Sequence, residues 1–197
     1  IQKMVDLRPD IASYSRVSYL RELHGDMPGA IDAMRRAVAA GNPGSEARAW
    51  AQVQLGILHF DQGDLSGAER EYSEVLAHMP NYPHALAALA RVRDAQNKPA
   101  EAIKLYERVL QLLPAPEHAQ ALGELHIRAG SRAKADAQFD LARALYTLGE
   151  SGGTDIMLER ARFESEHGDA AAAVTLARAA YASRPSIHSA DALAWAL

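Results

Sequence analysis

The sequence predicts an all-α fold built from repeated antiparallel helix hairpins. Turn-forming dipeptides recur at nearly constant intervals along the chain, and an alanine follows each of them five positions later. A bulky residue stands four positions after most of these alanines. Since residues four apart share one face of a helix, the pattern predicts helices that cross closely beside a larger side chain. A strand-rich or mixed fold would not repeat this spacing of turn and alanine five times.

The turn dipeptides predict where each hairpin bends. A residue that adopts positive φ ends one helix and lets the next begin antiparallel to it. The five turns begin at Gly25, Gly63, Asn97, Gly130 and Gly168. The alanines that follow are Ala30, Ala68, Ala102, Ala135 and Ala173. The residues one helical turn later are Met34, Tyr72, Tyr106, Phe139 and Ala177.

Prolines agree with these turns. Pro28 and Pro99 fall where the second helix of a hairpin would begin, a position that tolerates a missing N–H. Four others fall where a hairpin ends, because proline discourages helix through the residue before it. They are Pro43, Pro80, Pro114 and Pro185.

Together these positions resemble the tetratricopeptide repeat, with Leu-Gly in the first helix, alanine and an aromatic in the second, and a closing proline. The second copy carries Leu55-Gly56, Gly63, Ala68, Tyr72 and Pro80. The fourth copy carries Leu122-Gly123, Gly130, Ala135 and Phe139, with Thr147 in place of the closing proline. The first and fifth depart further, with Val17-Ser18 and Arg160-Ala161 in place of Leu-Gly. The resemblance covers essentially the whole chain and implies a right-handed superhelical solenoid. The Ala-, Arg- and Gly-rich composition resembles that of bacterial repeat proteins.

The register predicts the elements in chain order. They are residues 1–10, the tail of a preceding repeat helix; 11–44, repeat 1; 49–82, repeat 2; 83–115, repeat 3; 116–149, repeat 4; 154–186, repeat 5; and 187–197, the first helix of a truncated repeat 6. Residues 41–45 and 150–153 are extra and predict loops, whereas 133–148 predicts an unusually long second helix. Solenoids usually close with a polar cap, and neither end has one here. We therefore expect exposed apolar groups such as Trp195 and Leu197, self-association through the uncapped ends, and a piece of a longer protein.

Composition narrows the classes of partner. The formal net charge is −4 and basic residues are scattered, so nucleic acid is not an expected partner. No apolar run approaches the roughly 20 residues that a membrane span needs. The chain has no cysteine, which removes thiol nucleophiles and thiolate metal sites.

No motif for catalysis is apparent, and we expect no enzyme active within this chain, no cofactor and no metal. Phosphate-binding glycine loops and a serine elbow are absent from the sequence. The eight histidines form no pair at helical ligand spacing, and His59 and His126 are predicted to pack between helices. Glu164, Glu166, His167 and Asp169 form an acidic turn, interpreted as solvated, with Asp169 capping the next helix as Asp26 and Asp64 do.

The resemblance implies that the first helices line a concave groove for a protein or peptide. The transferred groove residues are Tyr19, Glu22, Trp50, Val53, Ile57, Phe60, Arg91, Asp94, Gln120, Glu124 and Arg162. The first half of this surface is apolar and the second half is charged, which predicts a peptide with one apolar and one charged end. The alternative is that Trp50, Ile57 and Phe60 only pack against the preceding hairpin. The Lys/Asn/Arg clamp of chaperone-tail receptors is absent, because its positions hold Ser15, Tyr19, Val53, Ile57, Ala87 and Arg91.

Three functions stay open on the sequence alone. The first is an interaction scaffold that binds a protein or peptide in the groove. The second is a regulatory or substrate-recruiting segment of a larger enzyme. The third is a structural spacer or self-assembling stack of repeats.

Overall fold

The computed structural model describes residues 2–197, and all regular secondary structure within them is helical. The predicted all-α class is therefore confirmed. Ile1, which the sequence assigns to a preceding helix, lies outside the described residues. No helix in the described part of the chain is both long and apolar enough to cross a membrane.

The chain folds into two compact units, of which the first ends at Leu113 and the second begins at Pro114. In the first unit, α2 pairs with α3, α4 with α5, and α6 with α7, and each pair packs on the next. Its helices are α1 (Gln2–Leu7), α2 (Ile11–Leu23), α3 (Met27–Ala40), α4 (Glu46–Asp61), α5 (Leu65–His78), α6 (Pro83–Ala95) and α7 (Pro99–Leu112).

The second unit contains two further hairpins and a final helix. Here α8 pairs with α9 and α10 with α11, and α12 packs against both α10 and α11. These helices are α8 (Pro116–Arg128), α9 (Arg132–Ser151), α10 (Met157–His167), α11 (Ala170–Ser183) and α12 (Ile187–Ala196). At its end Trp195 and Leu197 are exposed, and self-association through them stays a prediction.

The helices cross closely at the five alanines that follow the predicted turns. All five register alanines are fully buried, and the larger residues one turn later are buried as well. Gly56 shows why the first helix needs a small residue here. A Cβ atom on Gly56 would lie 2.3 Å from Cε1 of Tyr72, well inside contact distance. Gly123 stands in the same relation to Phe139, at 2.4 Å.

Acidic caps start the second helices as predicted. The Asp26 carboxylate accepts a hydrogen bond from Gly29 N at 3.0 Å, and the Asp64 carboxylate accepts one from Gly67 N at 2.8 Å. Asp169 accepts from the first N–H groups of α11, at 2.7 and 3.2 Å. Each carboxylate satisfies N–H groups that have no partner within the helix.

Four of the five predicted turns use positive φ, and the fifth does not. Gly25, Gly63, Asn97 and Gly130 have φ between 59° and 79°. Gly168 has φ −137°, so the prediction was wrong there. At the first turn the N–H of Asp26 donates to the backbone carbonyl of Arg21, whereas at the fifth the N–H of Asp169 donates to the carboxylate of Glu164. At the fifth turn the Glu164 side chain therefore accepts the N–H that a backbone carbonyl accepts at the first turn, and Gly168 does not need positive φ.

The long second helix α9 exceeds its predicted limits. It continues through Glu150 and Ser151, which the sequence assigns to a loop, so that assignment was wrong for these two residues. Ser151 Oγ donates to Leu148 O, and the Glu150 carboxylate pairs with Arg160 on α10. Both contacts stabilise the last turn of α9, which ends at Ser151, and Gly153 then turns the chain with φ 81°.

Candidate binding surfaces on the first helices

The first unit has an open cleft of about 320 Å³ between α2 and α4, called here the α2–α4 cleft. It contains four of the predicted groove residues together with their neighbours. Its lining residues are Ser15, Arg16, Tyr19, Glu22, Met34, Trp50, Gln54, Ile57 and Leu58.

Two aromatic side chains are available to a partner in this cleft. Tyr19 is 61% exposed and Trp50 is 41% exposed, although both belong to helices with buried faces. Met34 and Leu58, which line the same cleft, are buried. Large aromatic groups above an apolar base are typical of the residues that contribute most to protein interfaces.

Other groove residues of the first unit belong partly to the core. Val53 is only 4% exposed and packs in the cluster around Tyr72, so its assignment to the groove is corrected. Ile57 and Phe60 are half-buried against the same cluster, which is formed by their own hairpin and the following helix, whereas the packing alternative placed them against the preceding hairpin. The Arg91 guanidinium lies 4.8 Å from the Phe60 ring centre and occupies one of its faces. Asp94 is half-buried.

Sequence reasoning missed Arg16 and Gln54 in the cleft. Arg16 is exposed and lies one turn before Tyr19, while Gln54 lies one turn after Trp50. Helical spacing from the two aromatic residues was the signal that could have identified them. With Glu22, these side chains add polar groups to the apolar surface of the cleft.

In the second unit, polar side chains of α8 and α10 meet in what we call the α8–α10 polar cluster: Gln120, Glu124, Glu166 and His167. His167 Nε2 lies 3.1 Å from Glu124 Oε1 and 3.6 Å from Glu166 Oε2. Gln120 Nε2 donates to both carboxylates, at 2.9 Å to Glu124 and 3.3 Å to Glu166. The sequence treats these residues as two separate features, a groove position and a solvated turn.

Aromatic packing holds the imidazole of His167 in place. Its ring stacks on Phe139, with centres 4.3 Å apart and planes 13° apart, and it also contacts Phe163. Arg143 Nη2 donates to the His167 backbone carbonyl at 2.9 Å. Burial raises the pKa of Tyr146, which packs on Phe163, to about 12, so this phenol stays neutral at physiological pH.

The interpretation of the acidic turn as solvated was wrong for two of its residues. Glu164 is only 5% exposed and pairs with Arg143 at 3.5 Å, and the His167 side chain is mostly buried. Glu166 and Asp169 remain exposed. Arg162 contacts Asp191 on α12 at 3.7 Å, in a pair that is largely open to solvent.

The other two singled-out histidines pack as expected. His59 and His126 are each 6% exposed, which confirms their predicted burial between helices. His59 Nδ1 lies 2.8 Å from Asp64 Oδ2. The backbone N–H of Gly67, followed by the His59 side chain, lowers the pKa of Asp64 and so favours the charged cap.

Comparison with known proteins agrees with this architecture. Residues 59–125 match the family model described as tetratricopeptide repeat. The cellulose synthase 1 operon protein C of Komagataeibacter xylinus is 38% identical over 101 residues, or 51% of this chain. The chain spans only 7% of that relative's length, and 6% of a second one, the cellulose synthase operon protein C of the same organism. The bacterial character predicted from composition agrees with these relatives.

Two solved structures share the fold at low sequence identity. A thermophilic tetratricopeptide-repeat protein of Thermus thermophilus superposes with a TM-score of 0.64 at 18% identity, over 93% of this chain and 99% of its own. The structure of MamA superposes with a TM-score of 0.62 at 20% identity, over 76% of this chain and 86% of its own. These structures show that the chain has the helical fold of tetratricopeptide-repeat proteins, and the matched repeat model over residues 59–125 supports a protein built from such repeats.

Proposed function

We propose that this chain is a protein-interaction scaffold that binds a segment of a protein partner in the α2–α4 cleft. The observation that carries the proposal is the exposure of Tyr19 and Trp50 over the buried apolar side chains of Met34 and Leu58. Tetratricopeptide repeats generally mediate protein–protein interaction, which supports the class of function. No catalytic group is needed for this role.

The chemistry of the cleft favours an apolar segment with polar groups beside it. Indole and phenol rings bury large apolar areas and lose little rotamer freedom on binding. Arg16, Glu22 and Gln54 can pair with polar atoms of the bound segment. Phe60 is a weaker candidate for contact because Arg91 already covers one face of its ring.

A double variant tests the cleft. The wild-type chain and Tyr19→Ala/Trp50→Ala are used as bait in an extract of the source cell, and captured proteins are identified by mass spectrometry. We expect a specific partner to bind the wild type and to bind the variant at least tenfold more weakly, since aromatic truncation at an interface centre costs about 2 kcal/mol or more. Far-UV circular dichroism checks that helicity is unchanged.

The chain offers a matched control with the same residue types. Tyr181 is 42% exposed and Trp195 is 72% exposed, and both lie in the second unit. Tyr181→Ala/Trp195→Ala therefore removes the same two residue types from exposed positions elsewhere. A partner that still binds Tyr19→Ala/Trp50→Ala at full strength, or that is lost only in the control, would contradict binding in the cleft.

The likeness to cellulose synthase operon proteins favours a more specific version of the proposal. This chain is 38% identical to one of them over 101 residues, which is half of the length of this chain. We propose that its partner is another product of such an operon. Purified products of the operon, each tested against the wild type and the double variant, would identify the partner, and the absence of binding by any of them would reject this version alone.

The two other hypotheses make different predictions. A regulatory or substrate-recruiting segment of a larger enzyme would alter the kinetics of a catalytic domain in the parent protein. A self-assembling stack would show a concentration-dependent mass in analytical ultracentrifugation, reduced in Tyr181→Ala/Trp195→Ala and unchanged in Tyr19→Ala/Trp50→Ala.

A further inference from the structure

Three side chains of the α8–α10 polar cluster have the separations of a metal-binding site. The ligand atoms of Glu124, Glu166 and His167 all lie within 4.8 Å of one another. The imidazole nitrogen is 3.1 Å from one carboxylate oxygen and 3.6 Å from the other. Tetrahedral zinc with bonds of about 2.0–2.1 Å places neighbouring ligand atoms roughly 3.3 Å apart.

The kinds of ligand select the class of metal. One imidazole nitrogen with two carboxylate oxygens suits zinc and other late divalent transition metals. Calcium and magnesium prefer sets made only of oxygen, so the histidine discriminates against both ions. We propose that Glu124, Glu166 and His167 bind a divalent transition metal ion, with Zn²⁺ as the best fit. The site is separate from the cleft proposed for the protein partner.

Surrounding residues hold these three ligands in position. The His167 ring is fixed by its stack on Phe139, and its backbone carbonyl accepts a hydrogen bond from Arg143. Gln120 donates to Glu124 Oε1 and Glu166 Oε2, the same two oxygens that face His167 Nε2, and so orients both carboxylates toward the imidazole. Hydrogen bonds of this kind orient ligands and typically change metal affinity by about 10- to 100-fold.

The site is open on one side. The side chain of His167 is 18% exposed, that of Glu124 is 37% exposed, and that of Glu166 is 46% exposed. The cluster borders a depression of about 550 Å³, so water or another ligand can complete the coordination. Arg128 and Arg132 line the same depression, although Arg132 pairs with Asp136 at 2.9 Å. Because these two positive charges oppose a bound cation, we expect only micromolar affinity.

Isothermal titration calorimetry on the full chain, stripped with chelator, tests the site without any partner. We expect one Zn²⁺ per chain at micromolar Kd and no comparable binding of Mg²⁺ or Ca²⁺. Co²⁺ should give the visible absorption of a low-symmetry site.

Three nearly isosteric variants assign the ligands. Glu124→Gln and Glu166→Gln remove one charge each, and His167→Phe keeps the stack on Phe139 while it removes the nitrogen. We expect each to weaken Zn²⁺ binding at least tenfold with unchanged helicity. His24→Phe and Glu159→Gln change exposed residues elsewhere and should leave the affinity unchanged.

Two results would overturn the assignment. The first is the absence of saturable Zn²⁺ binding below millimolar concentration. The second is equal affinity in the wild type and His167→Phe, which would place the ion on other acidic groups. Neither result bears on the α2–α4 cleft, because no protein partner is present in the titration.

Discussion

At the scale of single residues, Gly56 shows how one missing side chain permits a helix crossing. Glycine in a helix interior usually costs about 0.5–1 kcal/mol relative to alanine, so an exposed Gly→Ala change would stabilise a helix. At Gly56 the ring of Tyr72 already fills the space that a Cβ atom would enter. Tyr72 is 1% exposed and sits within the core, so its ring has little room to move.

We predict that Gly56→Ala lowers the free energy of unfolding by about 1–3 kcal/mol, because overpacking outweighs the gain in helix propensity. Urea denaturation followed by circular dichroism measures the change. A Gly56→Ala/Tyr72→Leu variant removes the clash, and the double-mutant cycle should show strong coupling between the two positions. Stability equal to or above that of the wild type would contradict the prediction.

At the scale of helices, a polar junction joins α5, α6 and α7. The Glu69 carboxylate accepts hydrogen bonds from Arg93 Nη2 at 2.7 Å and from Gln96 Nε2 at 2.8 Å. Arg93 Nε also lies 2.9 Å from the carboxylate of Glu101. The hydrogen bonds from Arg93 and Gln96 lower the pKa of Glu69 to about 2.

This junction makes stability depend on acid pH. Because the folded-state pKa of Glu69 lies below its unfolded value, its contribution is fully present above about pH 4.5 and is lost as the pH falls toward 2. We predict that Glu69→Gln lowers the free energy of unfolding by about 1 kcal/mol at pH 6, a modest value since the side chain is one third exposed. The difference from the wild type should shrink at pH 2–3.

Urea denaturation at pH 6 and at pH 2–3 checks this expectation. Glu107→Gln, at an exposed position of α7, serves as the control and should follow the wild type at both values. A deficit in Glu69→Gln that is the same at both pH values would mean that the junction acts through packing and not through the charge of Glu69.

At the scale of the whole molecule, each unit is held together by packing between neighbouring hairpins. In repeat proteins of this kind, stability is approximately a sum over repeats and their interfaces. A local defect should therefore loosen its own hairpin and the adjacent ones more than distant ones.

Hydrogen–deuterium exchange on Gly56→Ala tests this property. We predict the largest loss of protection in α4 and α5, a smaller loss in α2, α3, α6 and α7, and the smallest in α10 and α11. The reciprocal variant Gly123→Ala should loosen α8 and α9 most. Equal loss of protection throughout the chain in both variants would show that it unfolds as one cooperative unit.

The sequence by itself determined the features that depend on neighbours along the chain. Helix ends, aspartate caps and buried alanines follow from turn chemistry and from the 3.6-residue period, and both act within a few positions. The resemblance to the tetratricopeptide repeat implied that Tyr19, Glu22, Trp50 and Ile57 share one surface, and the structure places all four in one cleft.

Only the tertiary structure decided the contacts between helices distant in sequence. Val53 is buried because the core around Tyr72 covers it, and Gly168 avoids positive φ because the Glu164 carboxylate closes its turn. The contact between Glu124 and His167 joins two positions that are 43 residues apart in the sequence. Repeat periodicity predicts which face a residue occupies, but side-chain length and the packing between hairpins determine which atoms meet.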